Sequence, residues 1–103
     1  MAAGGFVAVL VIELHFPDAE SLKAKRKDLS SIKAQLQQRF GAAVAETGHQ
    51  DLWQRSTLTA ALTGGSLAAL IAAVDQLERW LLGRCPQGVA VERLVVSVED
   101  LRG

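Results

Sequence analysis

Residues 6–16, FVAVLVIELHF, alternate between two sets of side chains, one wholly apolar and one that begins with three valines and ends in Glu13 and His15. The first set is Phe6, Ala8, Leu10, Ile12, Leu14 and Phe16, and the second is Val7, Val9, Val11, Glu13 and His15. A period of two is typical of a β-strand, because successive side chains point to opposite faces of a sheet. Glu13 interrupts the run before it reaches membrane-spanning length, and no basic residue precedes it as in a signal peptide. The segment is therefore predicted to be a buried strand.

Five further elements follow, separated by breaks rich in glycine, proline and polar residues. The predicted ranges are a helix at 21–40, strands at 42–46 and 55–63, a helix that starts after Ser66, and a strand at 89–99. Ser21 is a good N-cap for the first helix, and Gly41 is predicted to end it. Each helix has one apolar stripe at helical spacing, which predicts that one side of it packs against a sheet.

The resulting order, βαββαβ, predicts an α+β fold. Right-handed crossovers are satisfied by the ferredoxin-like split βαβ arrangement, with four antiparallel strands, the first strand central and both helices on one face. A swapped or extended sheet in a dimer is the main alternative. We expect one domain over residues 1–103, with residues 1–5 as a loose N-terminal tip.

This arrangement leaves one face of the sheet without helices. In the last strand Leu94, Val96 and Val98 are predicted to face the core. The predicted open face comprises Val7, Val9, Val11, Glu13, His15, Thr57, Thr59, Ala61, Arg93, Val95, Ser97 and Glu99. A row of valines is unusual on a solvated face. Val7, Val9, Val11 and Val95 are therefore candidates for an interface between copies of the chain, most simply in a dimer.

Composition limits the possible partners and compartments. The 103 residues carry a formal net charge of zero, which excludes a uniformly basic nucleic-acid binder but not a local basic patch. Cys85 is the only cysteine, so neither an internal disulfide nor a zinc cluster of cysteines can form. These features, with no recognisable targeting or membrane segment, predict a cytoplasmic protein.

The first predicted helix carries a cluster of basic side chains near its start. The candidates for anion or nucleic-acid binding are Lys23, Lys25, Arg26, Lys27 and Lys33. Cations at a helix N-terminus oppose the helix dipole and cost roughly 0.3–1 kcal/mol each when exposed. Free helix N–H groups with lysine and arginine side chains suit phosphate. The alternative interpretation is an ordinary solvated face, and the two interpretations are about equally favoured.

The stretch ETGHQDLWQRS, residues 46–56, resembles an active site because it gathers acidic, basic and aromatic side chains. His49 and Asp51 could act as a base and its orienting partner, or ligate a metal together with Glu46 and His15. However, no nucleophile with an oxyanion site accompanies them, and the spacing matches no standard metal site. We therefore favour a polar hairpin turn with Gly48 at positive φ, and we assign no catalytic residue, metal ligand or cofactor.

Two residues of this stretch need their own explanation. Trp53 either packs over the edge of the core, which is favoured, or presents a contact surface. Arg55 is predicted to pair with Glu46 across the hairpin. The candidates for contacts in this loop are His49, Asp51, Trp53 and Arg55.

Two long motifs make the chain similar to a known family. The segments IELHFPDAESLKAKRKDLSSIKAQLQQRF and VAETGHQDLWQRSTL resemble the bacterial YlxP-like family of small proteins of unknown function. The most distinctive parts are SLKAKR and QDLWQR. The resemblance implies a ferredoxin-like fold. Since genes of the family commonly neighbour those for translation initiation and ribosome maturation, it also implies a role linked to RNA or the ribosome, and it supplies no catalytic residues.

The leading hypothesis is a non-enzymatic accessory protein that binds RNA or a ribosomal component through its basic first helix. The alternative is a homo-oligomeric interaction module that uses the open sheet face and binds no nucleic acid. A small hydrolase or metal enzyme built on residues 46–55 ranks third.

Overall fold

The computed structural model describes residues 4–103 and has the predicted order of strands and helices, with one short helix added at the end. The elements are β1 (Phe6–His15), α1 (Leu22–Phe40), β2 (Ala43–Gly48), β3 (Arg55–Gly64), α2 (Leu67–Arg84), β4 (Val89–Ser97) and α3 (Val98–Arg102). The predicted loose tip falls partly on residues 1–3, which lie outside the described residues. Gly5 is held in place, because its carbonyl accepts a hydrogen bond from the amide of Val98 at 2.8 Å.

The four strands form one antiparallel sheet in the order β2-β3-β1-β4. The first strand is therefore internal and pairs with β3 on one side and β4 on the other. The buried side chains of α1 and α2 join those of one sheet face in a single apolar cluster, so both helices cover the same face. This is the ferredoxin-like fold that the sequence predicts.

Local sequence signals explain where the long helices begin and end. The Ser21 hydroxyl accepts a hydrogen bond from the Ala24 amide at 3.1 Å and caps α1. Gly41 ends the helix in the left-handed conformation with φ 65°, which glycine adopts at little cost. Ser66 caps α2 in the same way as Ser21 caps α1, by accepting from the Ala69 amide.

The core lies between the helices and one face of the sheet. Alternate positions of the two central strands supply Ala8, Leu10, Ile12, Leu14, Leu58, Ala60 and Leu62, and the helices supply Leu29, Ile32, Leu36, Leu70, Val74, Leu77 and Leu81. The strand periodicity and the helical stripes therefore identify the inner side of β1, β3, α1 and α2 correctly.

The prediction for the two faces of β4 is wrong. Arg93 lies directly opposite Leu10, and Val95 lies opposite Ala8, so both share the helix-covered face. Leu94 pairs with Val9 on the open face and is 50% exposed. The Arg93 guanidinium reaches the carboxylates of Asp75 and Glu78 on α2, at 2.7 and 3.3 Å. Because these ion pairs let a cation point toward the helices, apolar alternation alone gives the wrong face.

The end of β4 also differs from the prediction. The strand ends at Ser97, and Val98 and Glu99 belong to α3. Ser97 and Asp100 form a capping box, in which each side chain accepts a hydrogen bond from the other residue's amide. At the opposite edge of the sheet, the pairing of β2 with β3 shifts register between Glu46 and Gly48, which places a bulge in the edge strand.

Candidate nucleic-acid interface

The basic residues at the start of α1 divide into one buried side chain and a group on the outer side. Lys25 is 1% exposed, whereas Lys23, Arg26 and Lys27 are exposed and Lys33 is half-buried. Lys25 is therefore wrong as a candidate for direct phosphate contact. The other four remain on the outer flank of the helix.

Lys25 connects α1 to the loop after β2. Its Nζ donates hydrogen bonds to the carbonyl oxygens of His49 and Leu52, both at 2.6 Å. The same ammonium group lies 3.6 Å from a carboxylate oxygen of Glu46. A buried ammonium group is costly unless it is paired and hydrogen-bonded, and here it is both. The two motifs that resemble the YlxP-like family, SLKAKR and QDLWQR, are thus joined by this contact.

The burial of Lys25 has a signal in the sequence that the charge pattern obscures. Lys25 precedes Leu29, Ile32 and Leu36 by four, seven and eleven positions. These are the spacings of one helical stripe, so Lys25 occupies a core-facing position of α1. A lysine at such a position must find buried acceptors, and the nearby hairpin loop supplies them.

The exposed flank of α1 has no acidic residue to neutralise it within residues 4–103. Lys23, Arg26 and Lys27 form no ion pair among the described residues. Asp28, the only acidic residue of the helix, pairs with Arg84 of α2 at 2.9 Å. The flank is therefore a local positive surface on a chain whose net charge is zero.

The loop between β2 and β3 is held in a specific conformation. His49 has φ 60°, and Gly48 is not in the left-handed region, so the predicted positive φ is displaced by one residue. Glu46 accepts a hydrogen bond from the Ser56 hydroxyl at 2.9 Å. The predicted pair of Arg55 and Glu46 is therefore replaced by the contacts of Glu46 with Ser56 and Lys25. Arg55 and Asp51 are exposed.

Trp53 and Leu52 point toward solvent at the tip of this loop. Trp53 is 51% exposed and Leu52 is 47% exposed, so the favoured packing of Trp53 over the core edge is wrong. Residues 51–55 line a shallow depression of about 430 Å³. Large apolar side chains that are fixed and exposed together are typical of contact surfaces.

A second depression lies between α1 and the end of α2 and does not resemble a catalytic site. It has a volume of about 350 Å³, and its lining includes His15, Lys25, Arg84 and Cys85. Burial raises the pKa of the Cys85 thiol, an effect that the nearby Arg84 charge opposes and Asp28 reinforces. A thiol with a raised pKa is a poor nucleophile at neutral pH. Within residues 4–103, no group of three potential metal ligands comes together.

The open face of the sheet keeps three of its four predicted interface residues. Val7, Val9 and Val11 lie on it and are partly exposed, whereas Val95 faces the helices. Leu94 takes the place of Val95 on this face.

The comparisons with known proteins agree on the class of the molecule and on its family. The fold is ferredoxin-like α+β, and the designed protein Foldit4 matches it with a TM-score of 0.56 at 11% identity, over 89% of this chain and 96% of that one. The family model described as "Protein of unknown function (DUF503)" matches residues 7–93. The chain belongs to this family.

One relative links the chain to the YlxP-like proteins. It is 41% identical to the uncharacterised protein YlxP of Bacillus subtilis (strain 168) over 49 residues, which are 48% of this chain. The match spans about half of the relative, 53% of its length. Among residues 4–103, no helix has the length and apolar character needed to cross a membrane.

Proposed function

We propose that this protein binds RNA, either free or within the ribosome, through the exposed flank of α1 formed by Lys23, Arg26, Lys27 and Lys33. We call this surface the basic flank. The observation that carries the proposal is that its first three cations are exposed and unpaired among residues 4–103, near the N-terminal end of the helix.

The position of these charges is unfavourable for the helix itself. The first turn of α1 contains no acidic residue, although an acidic side chain there would stabilise the helix. Lys23, in that turn, instead opposes the dipole at a cost of roughly 0.3–1 kcal/mol, and Arg26 and Lys27 follow in the second turn, where the effect is smaller. A function that uses the positive potential explains this arrangement, because phosphate contacts dominate the affinity of proteins for nucleic acids.

The open sheet face is less suited to RNA than the basic flank. Proteins that bind RNA on a four-stranded sheet stack bases on aromatic side chains of that sheet. In the described part of the chain, this face carries mainly valine, threonine, alanine and leucine, with two glutamates. Its one aromatic ring is that of His15, at the end of β1, and it has no phenylalanine, tyrosine or tryptophan. The gene neighbourhood implied by the YlxP-like resemblance further supports an RNA-linked role without identifying the surface.

Salt dependence of binding tests the proposal. A fluorescent single-stranded RNA oligomer is titrated with the protein at several salt concentrations. The log–log slope is expected to be about −0.7 for each phosphate neutralised. Changing Lys23 and Lys27 together to glutamine should flatten the slope by roughly 1.4. The matched control, Arg79→Gln with Arg102→Gln, removes the same total charge elsewhere and should leave the slope unchanged. A parent protein that does not bind RNA, or equal effects of both double variants, contradicts the proposal.

A second candidate function is self-association through the open face, as an interaction module. Leu94 favours it, because a leucine that is 50% exposed pairs with Val9 on a face without helices. If this face is an interface, Leu94→Lys should shift the sedimenting species toward monomer in analytical ultracentrifugation. Gln76→Lys, at an exposed position of α2 on the other side of the sheet, is the control and should leave the sedimenting species unchanged. A parent protein that is monomeric at high concentration rules this candidate out.

A further inference from the structure

The loop that follows β2 holds Trp53 in a fixed position with its side chain exposed. The Leu52 carbonyl accepts a hydrogen bond from Lys25 Nζ at 2.6 Å, and the Gln54 carbonyl accepts one from the Phe16 amide at 2.8 Å. Both neighbours of Trp53 are thus anchored to the body of the protein. Nevertheless, 51% of the Trp53 surface is exposed. The backbone around Trp53 is therefore held in place, whereas its side chain is not buried in the core.

The anchor also ties the loop that carries this tryptophan to the helix that carries the basic flank. Lys25 lies between Lys23 and Arg26 in the first two turns of α1, and its side chain holds the loop at His49 and Leu52. The same helical segment therefore presents cations on its outer side and, through Lys25, holds the loop with the exposed indole. Arg55, two residues after Trp53, adds another exposed cation.

We infer that the RNA recognised by this protein is single-stranded, and that one of its bases stacks on Trp53 while neighbouring phosphates contact the basic flank. This inference rests on the proposed function and specifies its ligand. Proteins that bind single strands combine a positively charged surface with aromatic side chains on which bases stack. The bases of a duplex are already stacked on one another and cannot reach an indole.

The anchored loop makes this stacking favourable. A side chain that is already in its binding conformation loses little conformational freedom when the ligand arrives. The left-handed backbone of His49 belongs to the same anchor, since the His49 carbonyl accepts hydrogen bonds from both the Leu52 amide and Lys25. The turn is thus fixed before RNA binds.

The test compares Trp53→Ala with Leu52→Ala, a matched control because the two large side chains are adjacent and similarly exposed, at 51% and 47%. Binding of a fluorescent single-stranded oligomer and of the same oligomer in a duplex is measured by anisotropy. Trp53→Ala should weaken single-strand binding roughly 5- to 150-fold, the range found when a stacked aromatic is replaced by alanine. Duplex binding and the salt slope should not change, because no phosphate contact is removed. Trp53→Phe should restore part of the loss.

Tryptophan fluorescence gives a second measurement. Trp80 packs against Phe40 at the far end of α1, with ring centroids 6.1 Å apart, so Trp80→Phe leaves Trp53 as the only tryptophan. Fluorescence from Trp53 should be quenched by the single strand and not by the duplex.

The outcomes separate this inference from the function on which it rests. If the parent binds RNA with the expected salt slope but Trp53→Ala binds the single strand equally well, the inference is overturned and the proposed function stands. If Leu52→Ala weakens binding as much as Trp53→Ala, the loop makes a general apolar contact and stacking is overturned. If the parent binds neither probe, both proposals fail.

Discussion

The ammonium nitrogen of Lys25 lies 2.6 Å from the carbonyl oxygen of Leu52, a residue 27 positions later in the chain. This contact gives the lysines of one motif different roles. Lys25 shapes the loop from inside, whereas Lys23 and Lys27 remain on the surface. A run of basic residues that looks uniform in the sequence thus contains a structural residue among candidate binding residues.

Replacing Lys25 by methionine should destabilise the protein. The change keeps an unbranched side chain but removes the donor of the Leu52 carbonyl and leaves the His49 carbonyl with the Leu52 amide alone. We expect the free energy of unfolding to fall by about 3 kcal/mol, since one hydrogen bond to a charged group contributes about 1.5–3 kcal/mol. Urea unfolding measures this. Lys23→Met, at an exposed position of the same helix, should change it by less than about 0.5 kcal/mol. Equal stability of the two variants would contradict the structural role of Lys25.

His49 should tolerate glycine better than valine. Its φ of 60° lies in the left-handed region, which costs an L-residue roughly 1–2 kcal/mol and glycine very little. The free energy of unfolding of His49→Gly is therefore expected to equal that of the parent or to exceed it by up to about 1 kcal/mol. The greater freedom of glycine in the unfolded chain offsets part of what the relief of backbone strain contributes. His49→Val should be less stable than the parent, since a β-branched residue is strongly disfavoured there. Thermal unfolding of the three proteins checks the order, and a valine variant as stable as the glycine variant would refute it.

Lysine substitutions at consecutive positions of β4 should have opposite consequences. Val95 packs against the core under the helices, so Val95→Lys should lower the free energy of unfolding by about 2 kcal/mol or more. Leu94 is half exposed on the other face, and Leu94→Lys should change it by less than about 0.5 kcal/mol. Denaturant unfolding distinguishes the two. If Leu94→Lys were instead the more destabilising of the two, Leu94 would face the core, as the apolar alternation of β4 predicts.

The half-buried Cys85 thiol should make stability fall in alkaline solution. Because burial raises its pKa in the folded protein, the folded state holds the thiol proton more tightly than the unfolded state. This contribution is complete below the ordinary thiol pKa of about 8.5 and is lost as the pH rises toward the raised value. Denaturant unfolding between neutral and alkaline pH measures the decline. Cys85→Ser should show a shallower decline, and identical slopes would contradict the assignment.

The sequence predicts most of the fold because its main signals are strong and local. Ser21, Ser66 and Gly41 mark helix ends through contacts with their own backbone, and the period of β1 leaves one choice of inner face. β4 is different. It is an edge strand in which both sets of alternating side chains are largely apolar, so the face depends on the ion pairs of Arg93 with α2. Those partners are distant in sequence.

The candidate site was predictable in part. Charge pattern and family resemblance identify the basic flank and the Trp53 loop as separate features. Their connection through Lys25 depends on a long-range contact to the backbone carbonyls of His49 and Leu52. Because every residue has a backbone carbonyl, the residue types at these two positions do not predict the contact. The exposure of Trp53 accompanies the same anchor: the carbonyls of Leu52 and Gln54 on either side of it are bonded to the body of the protein, and the side chain between them is 51% exposed.

The bulge between Glu46 and Gly48 also affects the behaviour of the chain in concentrated solution. A flat edge strand offers a row of unpaired amides and carbonyls that can template the addition of another strand. At β2 the shifted register breaks this row within a strand of six residues, and the added twist turns the remainder away. The β2 edge therefore offers no long straight strand for a second molecule to pair with, which disfavours edge-to-edge aggregation on this side of the sheet.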